Sequence, residues 1–248
     1  MASATTGQRL LSGFALNMGV LPGLPVAWAV PLDVDMVPGR PHDLGARLLG
    51  AEHDALLPIL RRTPAEAFDR PTVCTGWSVR DVLAHCGSAL ARLAEGRLHS
   101  FTPELNELDV AERRSWPLEA VLAELQRGYR AAGPALTAAE GELDGLALGE
   151  WVHGGDVREA LGEPAPYESD GVQDALALLV ERSRRRPVPA TRVSPPERTL
   201  YLGAANGGHL AELATDVPTL IRLCAGRRPD PARYRLTGAD PAQYHLFR

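Results

Sequence analysis

One stretch near the middle of the chain, LALGEWVHGGDVREALG at positions 146–162, places a carboxylate and an imidazole inside an apolar helical stripe. Residues three or four apart share one face of an α-helix. Glu150 and His153 then lie on a face with the apolar residues Leu146, Val157, Ala160 and Leu161. A buried carboxylate is normally paired or bound to a metal. The stretch therefore predicts a metal held by Glu150 and His153, or else an internal arginine or hydroxyl that satisfies the carboxylate.

A second helix upstream offers a third donor. Ser78 and Asp81 have the spacing of a capping box, which predicts a helix beginning at this point. The apolar residues that follow have helical spacing: Val79, Val82, Leu83, Cys86, Leu90 and Leu93. His85 lies on the flank of this stripe, where it would reach between packed helices. Three protein ligands leave the fourth position of a zinc site open. The alternative for His85 is a hydrogen-bonded core residue.

Two segments of the chain form recognisable motifs: FDRPTVCTGWSVRDVLAH at 68–85, and LGEWVHGGDVR at 148–158 with Leu161 and Gly162 after it. Together they resemble the mycothiol-dependent maleylpyruvate isomerase family, a group of DinB-like metal-binding four-helix bundles. The resemblance covers about residues 43–162 well and the C-terminal third more weakly. It implies a bundle that binds a divalent metal, usually zinc, through His85, Glu150 and His153. The family's Glu and His are usually four residues apart, whereas these two are three apart.

The resemblance implies a metal that activates a small thiol, mycothiol, for attack on an electrophilic small molecule. Reversal of the adduct after bond rotation gives cis–trans isomerisation, and a stable adduct gives S-transfer. Two other functions remain open: a non-catalytic metal-binding, ligand-binding or resistance protein, and a hydrolase in which the metal activates water. Arg80 and Arg158 are candidates for binding the cosubstrate or a substrate carboxylate, because a guanidinium matches a carboxylate. A surface position is the alternative for both.

Composition and charge limit the possible partners and the cellular compartment of the protein. The chain has 248 residues, 45% of them hydrophobic, which is enough for a substantial core. Its net charge is −5, and without a basic stripe nucleic acid is not an expected partner. The three cysteines lack metal-type spacing and indicate a reducing compartment. Cys74 and Cys86 are interpreted as small packed residues rather than ligands. We expect a cytoplasmic protein, not membrane-bound, that is a monomer or a homodimer.

The fold class expected is mostly α: a DinB-like four-helix bundle followed by a small α+β C-terminal domain. We place the bundle at 41–165 and the C-terminal domain at 166–248. Residues 1–40 are predicted to be a poorly ordered extension, since prolines and glycines interrupt its apolar run and Met36 offers an alternative start.

Several local expectations concern the segments between these elements. Residues 97–115 are predicted to form an irregular crossover in which Asn106 faces the cleft. Gly133 and Pro134 should kink or end the third helix. The segment 184–197 is interpreted as a linker. Residues 234–236 and 244–247 are expected to pair as short strands. His53 is expected to be exposed.

Overall fold

The computed structural model describes residues 41–98, 102–195, 198–204 and 209–247. Residues 40–248 group into one compact unit. The extension predicted at 1–40 lies outside the described residues. The domain boundary placed at 165/166 stays a prediction.

Four long helices make up the first part of the chain: α1 (Leu44–Arg62), α2 (Val79–Ala94), α4 (Leu118–Ala138) and α5 (Asp144–Leu161). A shorter helix, α3 (Pro103–Arg113), lies between α2 and α4 in the chain and packs on α2. Helix α1 packs on α4 and α5, and α2 packs on α4 and α5. This arrangement is the four-helix bundle that the sequence predicts.

Local signals in the sequence set the ends of the two helices that carry the predicted ligands. The hydroxyl of Ser78 accepts a hydrogen bond from the backbone N–H of Asp81, whose carboxylate in turn accepts one from the backbone of Ser78. This reciprocal capping box satisfies two N–H groups that the first turn leaves unpaired. Gly162 terminates α5 with φ of 77°, a left-handed conformation that costs glycine little.

The bundle interior is a cluster of aliphatic side chains from all four long helices, including Leu49, Leu90, Leu125 and Leu146. Its members recur every three or four residues, so each helix presents one apolar stripe to the others. Helix α5 differs because its opposite face is buried as well. Leu148, Trp151 and Val152 on that face belong to a second hydrophobic cluster, shared with the C-terminal part of the chain.

The C-terminal part contains helix α6 (Val172–Arg184), a four-stranded sheet and helix α7 (Val217–Cys224). The strands are β1 (Thr191–Ser194), β2 (Leu200–Leu202), β3 (Ala211–Thr215) and β4 (Tyr234–Thr237), in the spatial order β2-β1-β3-β4. Strand β1 is antiparallel to β2 and parallel to β3, and β3 is antiparallel to β4. Alternating residues of β1, β2 and β3 are buried, so the sheet turns one face towards the second cluster. A mostly α fold with a small mixed α+β region at the end is thus confirmed.

The segment between α2 and α4 corrects one expectation. The crossover at 97–115 contains a regular helix, α3. Thr102 accepts a hydrogen bond from the backbone N–H of Leu105, and Pro103 occupies the first turn. This start signal, a capping threonine followed by proline, is visible in the sequence.

Gly133 and Pro134, expected to kink or end the third helix, do not end it, because α4 contains both residues and continues to Ala138. Two further expectations differ from the structure. The predicted linker at 184–197 contains β1. Residues 234–236 do form a strand, but it pairs with β3, while the chain at 241–244 forms a short 3-10 helix. These pairings join segments distant in sequence, which local patterns do not specify. In the described part of the chain, no helix is both long and apolar enough to cross a membrane.

Candidate functional site

A cavity of about 700 Å³ opens beside the middle of α5. Its wall combines residues from α2, α3, α5 and α6, from the loop before α2, and from the chain after α7. Those used below are Cys74, Trp77, His85, Asn106, Glu107, Gly149, Glu150, His153, Arg182, Arg227 and Phe247. The three ligands predicted from the sequence therefore line the same cavity.

His85 projects from α2 and is only 7% exposed. Its ring centroid lies 5.3 Å from that of His153 in an edge-on arrangement, and 5.1 Å from the ring of Trp77. Burial lowers the pKa of His85 to about 3, and the neighbouring His153 adds to this shift. The imidazole is therefore neutral, the form that binds a metal. Its buried Nδ1 has no hydrogen-bond partner among the described residues.

Glu150 is 3% exposed and lies on α5, one helical turn before His153. Burial raises the pKa of its carboxyl to about 8, although a hydrogen bond from the Cys86 thiol opposes the rise. The buried Oε2 atom has no hydrogen-bond partner in the described part of the chain. A carboxyl group left in this state is costly unless something else binds it. Glu150 and His85 thus each have one buried atom that lacks a hydrogen-bond partner and is of a type that can bind a metal.

His153 is held by a hydrogen bond on one ring nitrogen. Its Nδ1 lies 3.1 Å from Oδ2 of Asp156, one turn further along α5. A carboxylate only accepts, so this contact places the proton of the neutral ring on Nδ1 and leaves Nε2 with a lone pair. A carboxylate that orients a histidine in this way is a frequent partner of metal-binding histidines.

Asp156 is fully buried and receives hydrogen bonds from four side chains. Tyr167 donates to Oδ1 at 2.7 Å, and Arg227 donates to both carboxylate oxygens. Cys74 donates from Sγ to Oδ2 at 3.2 Å. Burial alone would raise the pKa of Asp156, but the bonds from His153 and Arg227 hold it well below its usual range. Asp156 is therefore an ionised carboxylate whose charge Arg227 balances.

Cys74, His153 and Asp156 bring ligand atoms within 4.8 Å of one another, close enough in principle for a metal. Arg227 argues against this assignment. Its Nη2 lies 3.3 Å from Sγ of Cys74 and bonds to Asp156, so a cation already occupies the space between the two side chains. Burial raises the pKa of the Cys74 thiol to about 12, with Asp156 adding to the rise, so the sulfur is protonated at neutral pH. We interpret the group as a hydrogen-bonded support for His153.

The chain is similar to known proteins both in sequence and in fold. Residues 49–163 match the family model described as the mycothiol maleylpyruvate isomerase N-terminal domain. This segment runs from the first turns of α1 to the end of α5, and it contains all three predicted ligands. The family resemblance seen in the two sequence motifs is confirmed.

The fold resembles two solved structures beyond the matched segment. One is a mycothiol-dependent maleylpyruvate isomerase, with 13% identity and a TM-score of 0.55 over 81% of this chain and 94% of that one. The other is a histidine-to-alanine mutant described by the same enzyme name, with 13% identity, a TM-score of 0.53 and the same coverage. At this identity the likeness shows a shared fold. No curated protein matches the chain in sequence.

Within the matched segment, the structure brings His85, Glu150 and His153 to one cavity wall. Their assignment as metal ligands stays a prediction. Asn106 also lines the cavity, as expected, although it does so from a helix. His53 is half-buried, not exposed, because its ring packs edge-on against Tyr129.

The two arginines proposed as cosubstrate ligands lie elsewhere. Arg80 donates to the backbone carbonyls of Arg114 and Trp116, at the end of α3. Arg158 is buried, where a surface position was the alternative, and it makes two hydrogen bonds to the fully buried Glu52, at 2.7 and 3.2 Å. Neither is among the described residues that line the cavity. Their cosubstrate role stays a prediction without support from their positions.

Several cavity residues carry no sequence signal of their own. Arg227 follows α7, and Phe247 lies at the end of the described chain, so their approach to α5 depends on how the C-terminal part packs. Trp77 is half-buried over His85, and its indole N–H donates to Glu107 at 2.6 Å. Asp156, which supports His153, does carry a sequence signal. It follows His153 by three residues on the same helix face, which predicts a residue that orients a ligand or caps a neighbour, with a solvated or salt-bridged aspartate as the alternative.

Proposed function

We propose that this protein is a zinc-dependent enzyme that uses mycothiol as a thiol cosubstrate and adds it to an electrophilic small molecule. The outcome is cis–trans isomerisation or S-transfer. The observation that carries the proposal is the pair of buried, unsatisfied donor atoms, Nδ1 of His85 and Oε2 of Glu150, on the wall of the cavity that His153 also lines. The family of residues 49–163 supports the thiol and the class of reaction.

The chemistry of the donor set fits zinc. Two histidines and one glutamate are a ligand set found in catalytic zinc sites, which keep one position open for water or substrate. His85 is neutral, and His153 carries its proton on the nitrogen that faces Asp156. When bound, zinc favours the deprotonated, nucleophilic form of a thiol at neutral pH.

The protein's own thiols do not supply the nucleophile. Burial raises the pKa of Cys74 to about 12 and that of Cys86 well above its usual value. Because only a thiolate attacks efficiently, neither sulfur is reactive at neutral pH. A reaction at this site therefore draws its sulfur from a separate molecule, as a thiol cosubstrate provides.

Asp156 acts here as a positioning residue. It fixes the ring orientation and the proton of His153, and Arg227 and Tyr167 fix Asp156 in turn. The cavity is large enough for two small reactants, since ligand pockets usually measure about 300–1,000 Å³. Its wall mixes aromatic rings, Trp77 and Phe247, with the polar side chains of Thr102, Asn106 and Glu107.

The three cysteines are free thiols in the structure. This supports a cytoplasmic location, where thiols stay reduced and a low-molecular-weight thiol is available.

Metal analysis combined with a turnover assay tests the proposal. The full chain would be purified, reconstituted with zinc and analysed by elemental mass spectrometry beside His85→Ala. We expect about one zinc per wild-type chain, as a single three-ligand site implies, and loss of the metal in the variant. His53→Ala removes a half-buried histidine outside the cavity wall and should keep its zinc.

The loaded wild type would then be incubated with mycothiol and a panel of activated alkenes, including cis-configured dicarbonyl compounds. Consumption of mycothiol indicates S-transfer, whereas isomerised product with mycothiol retained indicates isomerisation. Zinc binding without either result would favour the non-catalytic binding protein. Hydrolysis in the absence of any thiol would favour the hydrolase.

A further inference from the structure

Arg182, on the last turns of α6, is fixed in place by three neighbours. Its Nε donates to the carbonyl of Leu246 at 3.0 Å, and its guanidinium lies 5.0 Å from the ring centroid of Phe247. Below it, Gly145 of α5 leaves the space that the guanidinium fills: a Cβ at that position would lie 2.5 Å from Nη1. These contacts restrict the side chain but use only one of its five N–H groups.

The guanidinium of Arg182 has no carboxylate within salt-bridge distance among the described residues, although Glu142, Asp144 and Glu181 line a small cavity with it. No described acceptor bonds to Nη1 or Nη2. Burial lowers the pKa of Arg182, and the neighbouring Arg186 lowers it further, while no carboxylate raises it. By contrast, Arg113, Arg158 and Arg227 in this protein all pair with buried or partly buried carboxylates. Arg182 is half-buried, and a charged side chain that is withdrawn from water in this way is normally paired.

Arg182 faces the cavity of the candidate site. It lines both this cavity and a smaller adjoining one of about 240 Å³. Gly145 precedes His153 by eight residues on the same helix, which corresponds to about 12 Å along the helix axis. The unpaired guanidinium therefore lies about two helical turns from the reacting end of the cavity.

We propose that Arg182 binds an anionic group, a carboxylate or a phosphate, of the electrophilic substrate. A guanidinium with two unused terminal nitrogens matches the two oxygens of such a group. Because the guanidinium contacts α5 at Gly145, about two turns before His153, the position favours an elongated substrate whose anionic group lies away from its reacting carbon. The inference rests on the proposed function for the reacting end only, because the anion contact does not depend on the metal.

Calorimetric titration of the full chain with hexanoate and with hexanamide, a neutral molecule of the same size, tests the anion site. We expect hexanoate to bind and hexanamide to bind about tenfold more weakly or worse, as the loss of a hydrogen bond to a charged group implies. Arg182→Gln should reduce hexanoate binding to the level of the amide. The matched control is Arg185→Gln, on the same helix, since Arg185 is exposed and paired with Glu181.

A second variant tests the position of the charge rather than its presence. In Gly145→Ala the new Cβ displaces Nη1, while alanine favours the helix, so the fold should be retained. This variant should also bind hexanoate more weakly than the wild type does. Equal binding of acid and amide, no binding of the acid to wild type, or unchanged binding by Arg182→Gln would each overturn the proposal.

A third titration, with hexanoate at saturating mycothiol, tests whether the anionic group at Arg182 belongs to the electrophile or to mycothiol. Unchanged hexanoate affinity assigns the anionic group to the electrophile, as proposed, and competition would overturn that assignment. His85→Ala should lose zinc yet bind hexanoate as wild type does. A failure of the metal site is therefore distinguishable from a failure of the anion site.

Discussion

Two buried glutamates on facing helices of the bundle have opposite surroundings. Glu52, on α1, is fully buried and is held by two hydrogen bonds from Arg158. Gly154 of α5 has no side chain where the Glu52 carboxylate lies against it. Glu150, on α5, has no arginine and keeps one oxygen without a described partner. Burial raises the pKa of both carboxyls, but only Glu52 has a nearby cation that opposes the rise.

The difference separates a structural region from a binding region. The Glu52 carboxylate is paired with Arg158, and the backbone of α5 lies against it at Gly154, so no ligand is needed to satisfy it. Around Glu150, its Oε2 and the Nδ1 of His85 have no described hydrogen-bond partner, and both residues line the cavity. Polar groups that folding leaves without partners, at a cost to stability, are expected where a ligand supplies the missing partner.

The largest effect on the free energy of unfolding should come from removing the cation that pairs with Glu52. Arg158→Met leaves the Glu52 carboxylate buried without its cation, which costs about 3–5 kcal/mol of the free energy of unfolding. Urea denaturation of the metal-free protein measures it. Adding Glu52→Leu to the same chain should restore most of the loss, since an apolar pair of similar volume replaces a buried ion pair at little cost. A loss below 1 kcal/mol in the single variant would mean that Glu52 is not ionised there.

The second largest effect is the stabilisation of the folded protein by zinc bound at the predicted ligands near Glu150. A ligand that binds only the folded state stabilises it by about 2.7 kcal/mol at 100 times its dissociation constant. We expect thermal unfolding of wild type to shift upward with zinc and that of His85→Ala not to shift. Without zinc, the two proteins should unfold at similar temperatures. An equal zinc-induced shift in both would remove His85 from the site.

Moving the glutamate from position 150 to position 149 should raise the affinity for zinc. Gly149 stands four residues before His153, the spacing usual in the family, and a Cβ there would meet only Phe247, at 3.9 Å. Gly149→Glu combined with Glu150→Ala should bind zinc about tenfold more tightly, a gain of 1.4 kcal/mol. Competition with a chelator of known affinity measures the difference. Weaker binding would show that the three-residue spacing suits this bundle better.

The smallest effect is expected at Cys74. If Cys74, His153 and Asp156 support the site by hydrogen bonds, Cys74→Ala removes one donor to Asp156, and Arg227 and Tyr167 still hold the carboxylate. Zinc stoichiometry should stay the same, and the free energy of unfolding should fall by about 1 kcal/mol, as for one hydrogen bond. Loss of zinc in this variant would place the metal on Cys74 instead.

The sequence by itself determined the parts that depend on neighbours in the chain. The capping box at Ser78, the left-handed end at Gly162 and the apolar stripes of the four long helices are local patterns, and each predicts the element that forms. The same periodicity put Glu150 and His153 on one helix face. Helix α3 was missed although Thr102 and Pro103 mark its start, because a polar segment gives a weak apolar period.

Only the tertiary structure decided which charges are satisfied. Arg158 was a candidate cosubstrate ligand in the sequence, yet it pairs with Glu52, 106 residues away. Arg227 reaches Asp156 across 71 residues, and β1 pairs with β3 although β2 lies between them in the chain. Such contacts are set by how whole elements pack, and helical spacing carries no information about them. Whether a buried carboxylate meets an arginine or a cavity is therefore a property of the assembled core, and here that distinction separates Glu52 from Glu150.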